Sequence, residues 1–296
     1  MGTVGHAIVA ERLARFARDI DDPRVGSIAR AAARPVAVTV RGRPGVGLRT
    51  VARALASAGI AVSRDGDVVV HVVAEVVKPE DRAAIDASTV VVQNKSDLSA
   101  SLPRVVPMVA HLALAHVDES MLSALHALAS EPQEFGSVDD VARGPYRLLL
   151  ETLDVSGITH ALRALRDGED VRRALRHASG VDGVVAALVP RLAEAGYRRV
   201  RSAAAALEAV AAADQELRPR ITDFLRQDDT VLAVMAAAVD VVEAAGMTVD
   251  PGDDRVAHLR RAAHWDRYRR ECVDTVHRSC GGDIVRGSLR LWAARR

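Results

Sequence analysis

Thr89 to Leu98, with the sequence TVVVQNKSDL, is the stretch from which the fold of this chain can be predicted. A run of β-branched residues, Thr89 to Val92, is followed almost at once by the polar tetrapeptide Asn94-Lys95-Ser96-Asp97. A short apolar run bounded by polar residues is typical of a buried strand in a parallel sheet. Because ligands bind at the carboxyl ends of strands in open α/β sheets, the tetrapeptide stands where a binding site is expected.

The tetrapeptide has the form N-K-x-D, and its side chains carry the groups needed to recognise a guanine base. The Asp97 carboxylate can accept hydrogen bonds from the N1–H and N2 amino donors of guanine, which adenine does not offer. The Asn94 amide both donates and accepts, and the aliphatic part of Lys95 can lie along the base. The alternative is that these residues only end a strand, with Asp97 as a helix N-cap. Because the chain has only two lysines, Lys78 and Lys95, against thirty-eight arginines, we favour the guanine site.

Composition indicates a protein with a substantial core and no global preference for polyanions. The chain has 296 residues, of which 49% are apolar and only 3% are aromatic, and its net charge is +1. That length has room for two domains, and that charge implies neither nucleic acid nor a membrane as a partner. Cys272 and Cys280 are too few for a disulfide framework or a zinc site. With no signal-peptide pattern and no apolar run of membrane-spanning length, a cytoplasmic location is expected.

The first half of the chain alternates between helix and strand patterns, which predicts an α/β fold with a mostly parallel, doubly wound sheet of the P-loop type. Apolar spacing predicts two helices within residues 6–32, interrupted at Asp21-Asp22-Pro23. The other predicted elements are strands at 35–40, 60–63, 68–73, 89–92 and 104–109, and helices at 48–58, 79–87 and 117–129.

The second half has no strand patterns and is predicted to be helical throughout. We therefore expect an α/β domain at residues 1–130, with its N-terminal helix, and an all-α domain at residues 145–296, joined by a polar linker at 132–144. Six predicted breaks divide the second domain into six or seven helices. They are Asp167-Gly168, Ser179-Gly180 to Gly183, Arg218-Pro219, Gln227 to Asp229, Gly246 to Asp254 and Gly281-Gly282.

A glycine-rich loop connects the strand at 35–40 to the helix at 48–58, as in proteins that hold phosphates through backbone N–H groups. The pattern of such a loop is G-x-x-x-x-G-K-[ST]. Gly42 and Gly47 occupy its glycine positions, but Leu48 replaces the lysine and Arg49 replaces the Ser or Thr. Arg49-Thr50 could replace Lys-Thr only with a one-residue insertion. The alternative is a strand–turn–helix connection that needs glycines for backbone geometry alone.

The loops that support hydrolysis in a GTPase have no counterpart in the sequence. A GTPase holds Mg²⁺ and the attacking water with a Thr-bearing loop and a D-x-x-G loop. Only sixteen residues separate Thr50 from Asp67, and no D-x-x-G occurs between the glycine loop and Asn94. Asp65 and Asp67 fit a turn and a strand edge at least as well as they fit metal ligands. Neither Mg²⁺ binding nor hydrolysis is therefore expected.

Taken together, roughly the first 115 residues resemble a small-GTPase domain of the translation-factor-related or dynamin-like kind. The resemblance rests on the glycine loop, the strand DVVVHVV, the helix after Lys78-Pro79-Glu80-Asp81, and VVVQNKSDL. Val109-Ala110-His111 falls where that superfamily has its last base-contacting loop, S-A-K/L, and keeps the alanine. The helical half resembles the helical appendage of bacterial, especially actinobacterial, GTPase-like proteins. The candidate nucleotide-binding residues are Gly42, Gly45, Gly47, Arg49, Thr50, Asn94, Lys95, Asp97 and Ala110.

The resemblance implies binding of GTP or GDP and nucleotide-dependent association at a membrane. The partner expected for such an association is a second copy of the chain or a paralogous GTPase. Because the glycine loop and the switch loops depart from the family pattern, the prediction is a pseudoGTPase. Such a protein binds guanine nucleotide weakly or not at all and acts as a regulatory or assembly partner. The first alternative is a slow GTPase that uses Arg49 and Thr50 with help from a partner.

The C-terminal residues suggest a second alternative. Arg255 to Arg296 carry eleven arginines against four acids, a pattern that would suit a helical adaptor at the periphery of a membrane or on nucleic acid. Of these two, the membrane surface is the expected partner and nucleic acid is not. The simpler interpretation is a solvated helix face with Trp265 packed inward.

Overall fold

The computed structural model describes residues 4–130 and 146–294. These residues form twelve α-helices, one 3₁₀ helix and one four-stranded sheet. In chain order the elements are α1 (Val4–Ile20), α2 (Pro23–Ala33), β1 (Val38–Gly42), α3 (Leu48–Ser57), β2 (Val68–Val73), α4 (Pro79–Ala84), β3 (Val90–Asn94), β4 (Val106–Met108), the 3₁₀ helix (Leu112–Leu114), α5 (Glu119–Ser130), α6 (Arg147–Asp167), α7 (Val171–Ser179), α8 (Val181–Ala213), α9 (Arg218–Arg226), α10 (Asp228–Ala244), α11 (Arg255–Glu271) and α12 (Thr275–Ala294).

The sheet is entirely parallel, with its strands in the order β1-β2-β3-β4, and this confirms the predicted α/β class. Valines form its interior: Val38, Val70, Val72 and Val92 are fully buried. Strands of a parallel sheet are covered on both faces, which is why β2 and β3 are nearly continuous valine runs instead of alternating patterns.

Residues 60–63 form less structure than predicted. Only Val62 pairs with the sheet, as an isolated parallel bridge to Val38 on the side of β1 away from β2. The chain then returns at once to β2, passing so close to β1 that a Cβ on Gly66 would overlap the Val38 backbone. This short return leaves no length for a fifth strand.

Other boundaries in the first half differ from the prediction by a few residues. The strand predicted at 35–40 is observed as β1 at 38–42. It begins after Ala37, whose N–H donates to the Asp67 side chain (Oδ2, 3.0 Å) instead of to a strand. The helix at 79–87 ends at Ala84, because Asp86 Oδ1 accepts hydrogen bonds from the Ser88 N–H and the Thr89 hydroxyl in a local turn. The strand at 104–109 is reduced to Val106–Met108.

The second half consists of seven helices among the described residues, α6 to α12, in agreement with the prediction. The predicted break at Gly281-Gly282 is wrong, because both glycines lie inside α12. Gly281 is packed so closely against α11 that an added Cβ would lie 2.9 Å from Arg269 Cβ. The chain breaks earlier, where Asp274 Oδ1 accepts from the His277 N–H (2.9 Å) at the start of α12. Gly183 also lies inside a helix, α8, and the predicted linker at 132–144 lies outside the described residues.

Contacts divide the chain into two compact units. The sheet unit is Ala37–Leu188, in which α5, α6 and α7 pack around the 3₁₀ helix beside the sheet. The helical unit combines Met1–Val36 with Val189–Arg296, and in it α1 packs against α10 while α11 and α10 pack against α12. Its core includes the stacked rings of Phe16 and Phe224 (4.1 Å) and buried Trp265. These units differ from the domains expected at 1–130 and 145–296, whose boundaries stay a prediction.

Candidate functional site

Asn94, the last residue of β3, connects three loops at the carboxyl end of the sheet. Its side chain is buried. Its Nδ2 donates to the Val46 carbonyl in the glycine loop (2.9 Å), and its Oδ1 accepts from the Ala110 N–H in the loop after β4 (3.1 Å). An amide can do both because it carries a donor and an acceptor. The structure therefore brings the glycine loop, the N-K-x-D segment and Ala110 together.

The glycine loop has a backbone that only glycines adopt without strain. Gly45 and Gly47 have φ of 88° and 91°, in the left-handed region that disfavours other residues. Gly47 is also the N-cap of α3, and a Cβ there would overlap the side-chain amide of Asn94. Gly42 has φ of 150°, and a Cβ there would overlap the Val72 carbonyl. Glycine is therefore required at 42 and 47 by the close approach of Val72 and Asn94 as well as by the backbone geometry of the loop.

Lys95 and Asp97 follow Asn94 at the same edge. Lys95 has φ of 59°, and its Nζ donates to the Gly45 carbonyl (3.4 Å), so the lysine also contacts the glycine loop. Asp97 is half-buried, and its Oδ1 is buried without a hydrogen-bond partner among the residues that the structure describes. A buried carboxylate oxygen without a donor is unfavourable by roughly 1–3 kcal/mol. A ligand that supplied a donor would remove this penalty.

The start of α3 offers groups that could hold an anion. The Gly47 cap has no side chain, and the first turn contains no acidic residue, so the backbone N–H groups at this positive helix end are not neutralised. Arg49 is exposed and makes no hydrogen bond or ion pair with the other described residues. Thr50 is half-buried in the same turn.

A buried ionic cluster, formed by Arg43, His71 and Asp81, fixes the other end of the glycine loop. Asp81, on α4, accepts from Arg43 Nε at 3.1 Å and lies 2.9 Å from His71 Nε2 on β2. The Lys78 N–H also donates to Asp81 Oδ2 (3.0 Å). The Asp81 side chain is 1% exposed, whereas that of Arg43 is 28% exposed. The guanidinium of Arg43, a side chain of the glycine loop, is therefore paired with the Asp81 carboxylate.

The cluster determines the charge state of Asp81. Burial alone would raise the pKa of this carboxyl. Hydrogen bonds from His71, from the Lys78 N–H and from Arg43, together with the positive charge of Arg43, outweigh burial and hold the pKa below its ordinary value. Asp81 is therefore a carboxylate at neutral pH, and the cluster is an ion pair.

This cluster was not predicted from the sequence, although two signals point to it. His71 is the one polar residue in the apolar run of β2, VVVHVV. Asp81 stands three residues after Lys78, the spacing at which an acid can accept the N–H of a helix N-cap residue. Nothing in the local spacing indicates that Asp81 pairs with Arg43, which lies 38 residues away along the chain.

The two acids considered as metal ligands, Asp65 and Asp67, make hydrogen bonds close to the turn that precedes β2. Asp67 accepts from the Ala37 N–H, and the Asp65 N–H donates to Ser63 Oγ (3.2 Å) within its turn. Within residues 4–130 and 146–294, no three His, Cys, Asp or Glu side chains are grouped so that they could hold a metal ion.

The arginines of α11 are largely engaged with neighbouring residues. Arg269 and Arg270 both pair with Asp266, and Arg260 pairs with Asp250. Arg261 is buried and donates to the Ser288 hydroxyl (3.0 Å). Together with the buried Trp265, these pairs match the simpler interpretation of this stretch. No helix in the described parts of the chain has the length and apolar character needed to cross a membrane.

Comparisons of the chain with protein-family models, with curated proteins and with solved structures gave no match.

Proposed function

We propose that the sheet unit binds a guanine nucleotide between the glycine loop, the N-K-x-D segment and Ala110, and that the protein acts as a pseudoGTPase. The observation that carries this proposal is the state of the two recognition residues. Asn94 joins the glycine loop to Ala110 through both ends of its amide. Asp97, three residues later, has a buried carboxylate oxygen to which no described residue donates. The N1–H and N2 amino groups of guanine would supply such donors.

The position of the site supports the same proposal. It lies at the carboxyl ends of parallel strands, where ligands bind in open α/β sheets. The uncapped start of α3 and the exposed Arg49 provide a place for the phosphates.

Turnover is not part of the proposal. Arg43, which is in the glycine loop, is paired with Asp81, and the Asp67 carboxylate accepts from the Ala37 N–H just before β1. Asp81, which pairs with the glycine loop through Arg43, already has three donors. The protein would therefore act through its nucleotide-bound form, as a regulatory or assembly partner of a second copy or of a paralogous GTPase.

The proposal is tested by isothermal titration of the full chain with GDP and GTP, with and without Mg²⁺. We expect micromolar binding, which is about 8 kcal/mol, with little change on adding Mg²⁺. ADP should not bind, because adenine lacks the donors that Asp97 would meet. Heats for GDP no larger than those of dilution would refute the guanine site.

Asp97→Asn provides a sharp control, because it changes which base fits. The new side chain has one acceptor and one donor, so it matches xanthine, whose C2 carries an oxygen instead of an amino group. GDP affinity should fall at least about tenfold, and xanthosine diphosphate should bind better to the variant than to the original chain. A variant that kept its affinity for GDP would show that Asp97 does not contact the base.

A further inference from the structure

A cleft in the helical unit is separate from the candidate nucleotide site and has its own chemistry. It has a volume of about 690 Å³ and lies between α8, α9, α10 and α12. Clefts of about 300–1,000 Å³ are the size in which proteins bind small molecules. All of its lining residues belong to the helical unit.

The floor of the cleft is apolar. Val200, Ile221 and Val231 are buried in it, and Ala204 and Val234 are half-buried. Side chains that are partly exposed in a recess keep apolar surface in contact with water, which an apolar ligand would cover.

Arginines surround this floor. Five arginines line the cleft, against two acids, Glu208 and Asp283. The five are Arg201, Arg218, Arg226, Arg286 and Arg290. The cleft is therefore cationic, although the net charge of the whole chain is only +1.

The existing contacts leave this positive charge only partly balanced. Asp283 is buried, accepts from the Tyr197 hydroxyl (2.7 Å), and is shared by Arg201 (3.4 Å) and Arg286 (3.6 Å). Arg290 pairs with Asp228 (3.1 Å), which does not line the cleft. Within the described residues, Arg218 donates only to the backbone carbonyls of Ala211 and Ala212.

Arg226 is the clearest case. It is exposed at the edge of the cleft and has neither a hydrogen bond nor an ion pair with any other residue that the structure describes. A guanidinium in this state is available to a carboxylate or phosphate, which it can bind through two parallel hydrogen bonds.

We propose that this cleft binds a single-chain amphiphile with an anionic head group, a molecule of the fatty-acid class. The apolar chain lies on the floor formed by α8, α9 and α10, and the head group is held by Arg226 and the neighbouring guanidiniums. The recess favours a single free molecule over a lipid surface, because a flat bilayer would meet the arginines without reaching the floor. This site does not depend on the proposed nucleotide function.

Isothermal titration with monomeric dodecanoate tests the proposal on the full chain. We expect one molecule bound per chain. Arg226→Gln should weaken binding by about tenfold, because one charge-assisted hydrogen-bonding partner is lost. Arg267→Gln is the matched control, since Arg267 is exposed on α11, does not line the cleft, and its loss changes the net charge equally. That control should bind dodecanoate like the original chain.

The tail and the head group are tested separately. Ala204→Phe should block the floor and abolish binding, and thermal unfolding of the unliganded variant establishes that it is folded. Dodecanol and acetate, which represent the tail and the head group alone, should each bind far more weakly than dodecanoate. Absence of dodecanoate binding at about 1 mM, or equal loss in Arg226→Gln and Arg267→Gln, would overturn the proposal. So would binding only to phosphatidylglycerol vesicles, because it would indicate surface electrostatics instead of a cleft.

Discussion

Replacing Asp81 should destabilise the sheet unit more than any replacement of a surface acid. This carboxylate is 1% exposed and is held by three different donors: His71 Nε2, Arg43 Nε and the Lys78 N–H. Asp81→Asn removes the charge with little change in shape. It also places an amide N–H₂ group against donors that require an acceptor.

The expected loss is about 2–3 kcal/mol of unfolding free energy. Removing one partner of a buried ion pair costs about 3–5 kcal/mol, since the other charge is left without compensation. Arg43 keeps 28% of its side chain exposed and can regain water, so the loss should be smaller than that range. The remaining amide oxygen can still accept one hydrogen bond, which lowers the loss further.

Hydrogen exchange is the appropriate assay because it localises the effect. Both tryptophans, Trp265 and Trp292, lie in the helical unit, so tryptophan fluorescence does not report on the sheet unit. Amides of β2 and β3 should exchange about 30- to 150-fold faster in Asp81→Asn if they exchange through global opening of the unit. Glu80→Gln, at the exposed neighbouring acid, should change the free energy by less than about 0.5 kcal/mol. Equal exchange rates in the two variants would refute the assigned role of the cluster.

The pH dependence gives a second test of the same residue. The folded-state pKa of Asp81 is depressed, so the unfolded chain binds this proton at a higher pH than the folded chain does. The stabilisation is therefore present above the unfolded pKa of about 3.9 and is lost as the pH falls through the lower folded pKa. In urea unfolding followed by circular dichroism, the difference between the original chain and Asp81→Asn should shrink below about pH 4. A difference that stayed constant down to acid unfolding would contradict the assigned ion pair.

Two further predictions concern the glycine loop and the cysteines. Gly47→Ala should lose about 1–3 kcal/mol more unfolding free energy than Gly45→Ala, because both positions have positive φ but only at Gly47 would the new Cβ overlap Asn94; equal losses in urea unfolding would contradict this. At mildly alkaline pH a thiol reagent should modify half-buried Cys272 first, whereas Cys280 should stay unmodified in the folded chain, since burial raises its pKa to about 12. Modification of both thiols at one rate would show that Cys280 is accessible.

The parts of the fold that were predicted well are those encoded by neighbouring residues. β2 and β3 are valine runs with polar ends, and α2 starts at Pro23 with Asp22 accepting two backbone N–H groups as its cap. Such signals act over a few residues and survive in any tertiary context. A glycine in the sequence predicts a helix end less reliably, because glycine is required either for a turn or for a close packing contact. Gly246 ends a helix region with positive φ, whereas Gly281 lies in mid-helix against α11, and the sequence does not distinguish the two uses.

The sequence places the candidate site residues on three loops, and the structure brings these loops together through Asn94, which bonds to the glycine loop and to Ala110. Nucleotide binding by these residues stays a prediction. The cluster around Asp81 could not be predicted, since its ion pair depends on where α4 lies beside the glycine loop and not on local spacing. The arginine-lined cleft was missed for the same reason: its walls come from four helices that are separated along the chain.

The glycine loop is held at two points by side chains of the protein itself. Asn94 binds the Val46 carbonyl near its end, and Arg43 binds Asp81 near its beginning. A loop fixed in this way does not need a ligand to order it, so binding would cost little conformational entropy. The same feature limits what a nucleotide can do, because a ligand shifts a conformational equilibrium only as far as it binds two states differently. If GDP and GTP bind the same preformed loop, neither nucleotide binds one conformation of the protein much more tightly than another, so neither can shift the conformational equilibrium far. Under the proposed function, a loop held in one conformation fits an assembly partner with a single shape better than a switch that alternates between two.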